Sequence, residues 1–552
     1  MKKDIDFSNE FEYTVEVYDD DQGVLGEGQL TFGDGGLIRI QFDLDLYYKA
    51  PQTEFSILKA KEKGGEKFTL FNCVFESYSL YADFVVLGDV KSEISYFHIK
   101  YGDVSGWFLR GQYVTGQIGE SISWKNPAPQ LSVNIKTTNE NFSLKSDTFS
   151  ILTRCGEDHV IHEHTRFIFE RVGGGFSVNE VKEKSFELST LLAVLIANPV
   201  SIVNVWIGCG ASYPMPIYFS AFKKVDRGSS NSEFWLSCLA QRYSLDEKWQ
   251  SVFDRYYASH YRMTSWVRLA GMQRYEGFWE FKILGYVSLL DEYVSTYAAL
   301  ANQKATKAES KRVTRFKEQL KLLKLPLNNA QFEGVESLVE SVFLVSRDLT
   351  FREKYDYAIG STDKDVLKVI NLTSDDFSLI KRIRDKVAHG DAPDLADTSY
   401  QEIHFIVEKI ALLMTYWAHV DLGFSPSEFT AALMRTHNRL RFNPKLDKIY
   451  LERITNSAQF ASVSEELFEK FSSGDGPIIN ACFTQSLKGE LTYSEEYKAM
   501  YEAWINNRTR VSNQIIDAFG VAPERFSAVG SLYLEHEEKI KELHGAYIIR
   551  DV

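Results

Sequence analysis

The sequence predicts an α+β protein of several domains, in which a β-rich region comes first and helical regions follow. Three observations support this prediction: the length of 552 residues, the β-type segments up to about residue 225, and the helical periodicity beyond about residue 230. A chain of this length is expected to form more than one domain, and 44% hydrophobic residues are enough for packed cores. We expect three regions, namely 1–225, 226–424 and a helical C-terminal region, 425–552.

The N-terminal region contains short segments rich in β-branched and aromatic residues, separated by Gly, Asp and Asn turns. These segments are 13–17, 37–42, 68–71, 96–101, 131–135 and 166–170. Such a series of strands is typical of a sandwich or a barrel. Ser177 followed by Glu180 has the pattern of a capping box, so at least one helix is expected after the strands.

Arg384 and His389 are separated by four residues within the helical region, and the segments around them have strong helical periodicity. Upstream, Thr373 supplies a hydroxyl suited to cap the start of a helix. Apolar residues then recur at three- and four-residue steps, as expected for one face of a helix. Gly390 follows the histidine directly, where a helix commonly ends, and Thr398 with Gln401 predicts the start of the next helix. The pair is therefore expected at a helix end, between two helices of the core.

The spacing by itself is a weak signal, because the same separation occurs at two other places in the chain. These are Arg154 with His159 and Arg255 with His260, and neither pair has comparable helical segments on both sides. A simpler interpretation of Arg384 and His389 is also open: Arg384 forms a structural salt bridge and His389 caps a helix.

Arg384, Asp385 and His389 are of the residue types that cleavage of RNA requires. Asp385 and His389 share one helix face because they are four residues apart, and Arg384 lies beside Asp385. An imidazole can take or give a proton near neutral pH, as attack by a ribose 2′-hydroxyl demands. A guanidinium can hold a phosphate with two hydrogen bonds and stabilise the developing charge. Asp385 is expected to orient the imidazole, and the three side chains need no metal ion.

At these residues the chain resembles the HEPN superfamily of helical ribonucleases, whose motif is an arginine, a polar residue, a few variable residues and a histidine. A β-rich region before the HEPN part looks most like the anti-phage ApeA-like proteins of bacteria. The resemblance implies an all-α domain that pairs with a second copy, so that two motifs form one composite site. It also implies an acidic residue on an early helix that contacts the motif, and we expect this to be Asp291, although Glu is more usual there.

Two basic stretches lie in an otherwise acidic chain, whose formal charge of -14 argues against a general nucleic-acid coat. In the first, residues 304–324, Lys311, Arg312 and Arg315 are suited to follow an RNA backbone, and a solvated helix face is the alternative interpretation. Arg382 and Lys386 beside the motif are expected to join this contact. The second stretch combines basic residues with an aromatic ring for base stacking: Arg435, His437, Arg439, Arg441, Phe442 and Lys445.

Other patterns indicate a cytoplasmic protein without a cofactor. The five cysteines are widely scattered, which favours a reducing compartment. There is no apolar signal core at the N-terminus, and the apolar run 191–209 is broken by Asn198 and Pro199, so it predicts a buried helix and a strand. Residues 155–164 contain metal-ligand types, among them His159, His162 and His164, but surface-strand histidines explain them and no metal is expected.

Three functions remain open on the sequence alone. The resemblance favours a dimeric endoribonuclease that cleaves RNA, with tRNA as one example, in abortive-infection defence against phage after a phage-derived trigger. The second is a catalytically inactive HEPN-like module that binds RNA or a nucleotide. The third is a protein-interaction or inhibitory protein whose β-rich region carries the function.

Overall fold

The structure, a computed structural model, describes most of the chain. The described residues are 4–42, 53–90, 93–111, 114–117, 121–138, 140–171, 173–210, 213–225, 234–301, 318–322, 328–343, 349–389, 399–472, 479–507 and 514–551. They form two compact units. The first comprises Met1–Asp363 and Leu372–Lys445, and the second comprises Lys364–Asn371 and Leu446–Val552.

The N-terminal part of the first unit is rich in strands, as predicted. Its strands are β1 (Glu10–Asp19), β2 (Gly23–Gly33), β3 (Ile38–Phe42), β4 (Glu54–Glu62), β5 (Lys67–Glu76), β6 (Ser79–Leu87), β7 (Tyr96–Tyr101), β8 (Val114–Thr115), β9 (Ser123–Trp124), β10 (Ser132–Lys136), β11 (Asn141–Cys155), β12 (Asp158–Glu170), β13 (Ile202–Gly208) and β14 (Met215–Phe219). Each of the six β-type segments falls within a strand, apart from the first residue of 37–42 and of 131–135. In β1 the buried Tyr13, Val15 and Val17 alternate with exposed residues, which is the local pattern that the prediction used.

Twelve of these strands form one antiparallel sheet in the order β10-β11-β12-β7-β13-β14-β6-β3-β2-β1-β4-β5. Strand β6 also pairs with β5, so the six strands from β6 to β5 close into a ring. On its other edge, the first half of β6 pairs with β3 and the second half with β14. Of the two forms expected from the sequence, a sandwich or a barrel, the closed ring is the barrel-like one. The remaining six strands extend from it.

Helices make up most of the rest of the first unit. They are α1 (Val104–Phe108), α2 (Val178–Ile196), α3 (Phe234–Ser237), α4 (Trp249–Ala258), α5 (Val267–Arg274), α6 (Trp279–Leu300), α7 (Asn329–Phe343), α8 (Phe351–Gly360), α10 (Ser374–Ala388), α11 (Tyr400–Asp421), α12 (Pro426–Arg435) and α13 (Arg439–Phe442), while α9 (Lys364–Ile370) belongs to the second unit. A π-helical turn, Arg262–Trp266, precedes α5. Helix α2 and strand β13 confirm the buried helix and strand predicted for the long apolar run. None of the described helices is long and apolar enough to cross a membrane.

Capping boxes begin two helices where the sequence predicts a helix start. Ser177 with Glu180 begins α2, and the hydroxyl of Thr373 begins α10. One prediction needs a correction, because α11 begins with Ser399 and Glu402, one residue later than expected. The Thr398 that was expected to form this cap lies outside the described residues.

Four helices of the first unit pack together around the motif. Helix α6 contacts α8, α10 and α11, and α10 also contacts α11. Between α6 and α11, the ring of Tyr293 stacks on that of Trp417 with centroids 4.6 Å apart. Between α8 and α10, Tyr355 stacks on Phe377 at 4.0 Å. These aromatic contacts hold α10, which carries the motif, against its neighbours.

The second unit contains a sheet in addition to helices, and this corrects the prediction of a helical C-terminal region. Beside α9 its elements are α14 (Lys448–Ile454), β15 (Gln459–Ser462), α15 (Glu465–Ser472), β16 (Ile479–Gln485), β17 (Leu491–Tyr493), α16 (Glu495–Asn506), β18 (Phe526–His536) and β19 (Lys539–Arg550). The strand order is β15-β18-β19-β16-β17. One face buries Phe468 of α15 against the sheet, and the other buries Tyr501 of α16. The start of β19 reads as helical because charges surround Ile540 and Leu543, and pairing with β18 overrides that local pattern.

Candidate active site

Helix α10 holds Arg384 at the edge of a buried face. Phe377, Ile380 and Ile383 recur at three-residue steps and are buried, so this side of α10 faces the core. Arg384 follows the last of them, and its side chain is 22% exposed. The guanidinium is therefore partly withdrawn from water but can still be reached from solvent.

Two carboxylates hold the guanidinium of Arg384. Its Nη2 donates to Oδ2 of Asp291 on α6, and its Nη1 donates to Oδ1 of Asp385, both at 2.9 Å. The guanidinium carbon also lies 5.5 Å from the ring centre of Phe351 on α8. Its Nε is buried and has no hydrogen-bond partner among the described residues. Three helices thus determine where the cation lies.

Each carboxylate has a further contact that restrains it. The second oxygen of Asp385 accepts from Nζ of Lys381 at 3.0 Å, one helical turn earlier. The hydroxyl of Ser295 lies 3.4 Å from Oδ1 of Asp291, and Lys354 on α8 donates to that hydroxyl at 3.0 Å. The arginine is therefore the centre of a small charged network, and not one half of an isolated ion pair.

His389 lies at the end of α10, as the sequence predicts. Its backbone N–H donates to the carbonyls of Asp385 and Lys386, at 3.2 and 3.0 Å, and its side chain is exposed. The expected hydrogen bond between Asp385 and the imidazole is not formed among the described residues. Instead, Arg384 and Lys381 each bind one oxygen of that carboxylate, and His389 is exposed at the helix end.

The remaining predicted residues are placed as follows. On α10, Arg382 is exposed and Lys386 is half-buried. Lys311, Arg312 and Arg315 lie outside the described residues. In the second basic stretch, Arg439 donates to the carbonyl of Gln273 at 3.0 Å and Arg441 to that of Thr436 at 3.3 Å, while the ring of Phe442 is 62% exposed.

The histidines of residues 155–164 lie on the hairpin formed by β11 and β12. Nε2 of His162 is 3.0 Å from the hydroxyl of Thr153 on the opposite strand. Partial burial, together with Lys100 and His162, lowers the pKa of His164 below its usual value. Across the described part of the chain, no three His, Cys, Asp or Glu side chains come together in a way that could hold a metal ion.

Sequence reasoning missed two parts of this site. Phe351 gives no local signal, because it reaches Arg384 only through the packing of α8 against α10. Lys381 could have been found, since it precedes Asp385 by four residues on a helix, a spacing that favours an ion pair.

Comparison with known proteins agrees with the fold. Residues 12–256 match the family model described as ApeA N-terminal domain 1, and residues 284–428 match the model described as Apea-like HEPN. The helices that carry Asp291 and Arg384 therefore form a HEPN domain, a class whose members are generally ribonucleases and commonly dimerise. With both models matched in this order, the chain belongs to the ApeA-like proteins of the HEPN superfamily. No curated protein and no solved structure matches the chain.

Proposed function

We propose that this chain is an endoribonuclease that cleaves RNA by transesterification, without a metal ion, at a site built around Arg384 and His389. The contact between Arg384 and Asp291 carries the proposal most strongly. These residues are 93 positions apart in the chain, yet their side chains meet at 2.9 Å beside the helix end that bears the histidine. Such a contact is expected where a cation must be positioned before an anionic phosphate binds.

In the proposed reaction, His389 takes the proton of a ribose 2′-hydroxyl as that oxygen attacks the adjacent phosphorus. The bond from phosphorus to the 5′-oxygen breaks, and the leaving oxygen takes up a proton. The products are a 2′,3′-cyclic phosphate and a 5′-hydroxyl. Arg384 binds the phosphate oxygens and stabilises their added negative charge. We assign Asp291 and Asp385 the role of positioning Arg384, because both contact it directly.

A dimer formed through the HEPN domain would complete this chemistry. One imidazole cannot serve the attacking and the leaving oxygen at the same moment, and a second copy would bring a second His389. We further propose that Arg382 and Lys386, with Lys311, Arg312 and Arg315, bind the RNA backbone. The exposed position of Arg382 next to the motif supports this role.

We place this activity in abortive-infection defence in the bacterial cytoplasm, with cellular RNA such as tRNA as the substrate. The family membership supports a role in defence against phage. In this proposal the region 1–225 senses a phage-derived trigger and the region 226–424 cuts RNA.

The experiment is to sequence the 5′ ends of total RNA from bacteria that express the wild type, His389→Ala or His159→Ala, with and without phage infection. The wild type and His159→Ala should generate the same new ends, and His389→Ala should generate none. If His389→Ala generates the wild-type ends while remaining folded, the proposed chemistry is wrong.

A second candidate function is RNA binding without cleavage. It is favoured by one observation, namely that the exposed imidazole of His389 has no hydrogen bond to Asp385 among the described residues. A footprint that shows protected RNA without new ends in the wild type would support this candidate against the first.

A further inference from the structure

A cavity of about 640 Å³ lies in the first unit, between helix α2, the π-helical turn 262–266 and helix α5. Sites for small molecules commonly have volumes of roughly 300–1,000 Å³. None of the residues assigned to RNA cleavage lines this cavity. The proposed RNA cleavage therefore does not account for this cavity.

The walls of the cavity are mainly apolar. Phe186 and Ala193 of α2 and Ile202 of β13 contribute to its lining. Two further lining residues, Phe222 and Met263, are 64% and 63% exposed. Large apolar side chains that stay exposed around a concave surface commonly mark a binding site.

The charged residues of the lining favour an anion. Among the described residues, Lys182 and Arg274 are the lining cations. The ammonium group of Lys182 has no carboxylate within ion-pair distance in the described part of the chain. Arg274 donates to the Val200 carbonyl and the Ser201 hydroxyl, and its guanidinium carbon lies 5.2 Å from the ring centre of Phe222.

The lining carboxylates compete only weakly for such an anion. Glu187 is already bound by Lys184 at 2.9 Å, and Glu183 is exposed, so that solvent screens its charge. We propose that the cavity binds a small amphipathic anion, with an apolar acyl or aromatic body against the walls and its charged group at Lys182 and Arg274.

The position of the cavity connects it to the helix that carries Asp291. Met263 lies in the π-helical turn, and two residues later Ser265 donates a hydrogen bond to Glu292 of α6. The next residue, Trp266, packs its ring 5.6 Å from that of Tyr293. π-helical turns are frequent at functional sites. A ligand in the cavity would therefore lie against the π-helical turn, and this turn contacts α6, the helix whose Asp291 positions Arg384.

Gly271 offers a direct way to fill the cavity. It lines the cavity, and a Cβ atom added to it meets no heavy atom within 4 Å. The replacement Gly271→Phe should therefore occupy ligand space without displacing the backbone. Gly106→Phe is the matched control, since that glycine also lies in a helix with open space at its Cβ but is not part of the lining.

Binding is tested by titrating the full chain with 8-anilinonaphthalene-1-sulfonate, an aromatic anion whose fluorescence rises in apolar sites. The wild type and Gly106→Phe should bind it saturably at one site, with displacement by dodecanoate, and Gly271→Phe should bind it about tenfold more weakly or not at all. Thermal unfolding verifies that each variant is folded. If Gly271→Phe fails to fold, Met263→Glu at the exposed mouth replaces it, with the same loss expected.

The charge preference has its own test. Lys182→Gln should weaken binding of the sulfonate severalfold and leave binding of N-phenyl-1-naphthylamine, the neutral analogue, unchanged. Absence of saturable binding to the wild type, or equal binding to the wild type and Gly271→Phe, overturns the proposed site. Equal effects of Lys182→Gln on both probes overturn its preference for an anion.

Control of the Arg384 site by this ligand rests on the proposed function and is measured separately. Addition of dodecanoate should change the rate of RNA cleavage by the wild type but not by Gly271→Phe. An unchanged wild-type rate, in a protein shown to bind dodecanoate, rejects the control and leaves the binding site intact. A wild type that cleaves no RNA under any condition contradicts the proposed function instead.

Discussion

The hairpin of β11 and β12 and the end of α10 contain the same spacing of arginine and histidine, but they place the two residues very differently. In the hairpin, Arg154 and His159 face each other across the turn and both are exposed. Among the described residues, the arginine donates only to the carbonyl of Gly156, at 3.3 Å. On α10, Arg384 is held by two carboxylates from two helices. The same spacing can therefore occur with or without the convergence of distant segments on the arginine.

The comparison predicts the largest difference in activity between the variants His389→Ala and His159→Ala. His389→Ala should lower the rate of RNA cleavage by the purified protein about 10²–10⁴-fold, because it removes the group that transfers the proton. His159→Ala should retain the wild-type rate, since its side chain is exposed on the hairpin. Equal losses in both variants, or no loss in His389→Ala, would show that the two pairs do not differ in function.

The arginines provide the second test. Arg384→Lys should lower kcat/KM about 10²–10³-fold, because an ammonium keeps the charge but cannot form the two parallel hydrogen bonds to a phosphate. Arg154→Lys is the matched control and should cleave normally. Activity of Arg384→Lys close to the wild type would mean that only the charge of Arg384 matters.

A buried histidine extends the comparison from activity to stability. His419 on α11 is 1% exposed, and burial lowers its pKa to about 4, whereas an unfolded chain has a histidine pKa of about 6.5. The unfolded state therefore binds the extra proton first, and stability is lost as the pH falls from about 6.5 to about 4. His419→Gln should remove up to roughly 3 kcal/mol of this pH dependence.

Urea denaturation at several pH values between 4 and 7 measures that dependence. The exposed His159 provides the control, and His159→Gln should show the same dependence as the wild type. If His419→Gln keeps the wild-type dependence, other groups cause the loss of stability in acid.

Asp291 should have the smallest effect of the four. Asp291→Asn keeps a side chain of similar size but loses the charge that holds Arg384, so kcat/KM should fall about tenfold while the free energy of unfolding changes by only about 0–1 kcal/mol. Asp291→Glu should restore part of the activity, because it restores the charge. Full activity of Asp291→Asn would show that Asp385 alone suffices to position the arginine.

Short sequence patterns predicted those strands and helix ends whose formation depends mainly on residues close together in the chain. Strand β1 follows from alternation at Tyr13, Val15 and Val17, and the start of α10 follows from the hydroxyl of Thr373. The ring of Phe351 beside Arg384 could not be predicted, because it depends on how α8 packs.

The two main errors arose from interactions that short patterns do not contain. The contact expected between Asp385 and the imidazole was wrong for this structure, since other cations bind both carboxylate oxygens. The C-terminal sheet was missed because strand pairing outweighs the helix-like spacing of charges in β19.

The most direct test of the central claim is the chemistry of the RNA ends that the purified protein produces in the presence of EDTA. Transesterification at Arg384 and His389 predicts undiminished cleavage, with 2′,3′-cyclic phosphates on one side of each cut and 5′-hydroxyls on the other. Ends that carry 5′-phosphates, or cleavage that EDTA abolishes, would contradict this account.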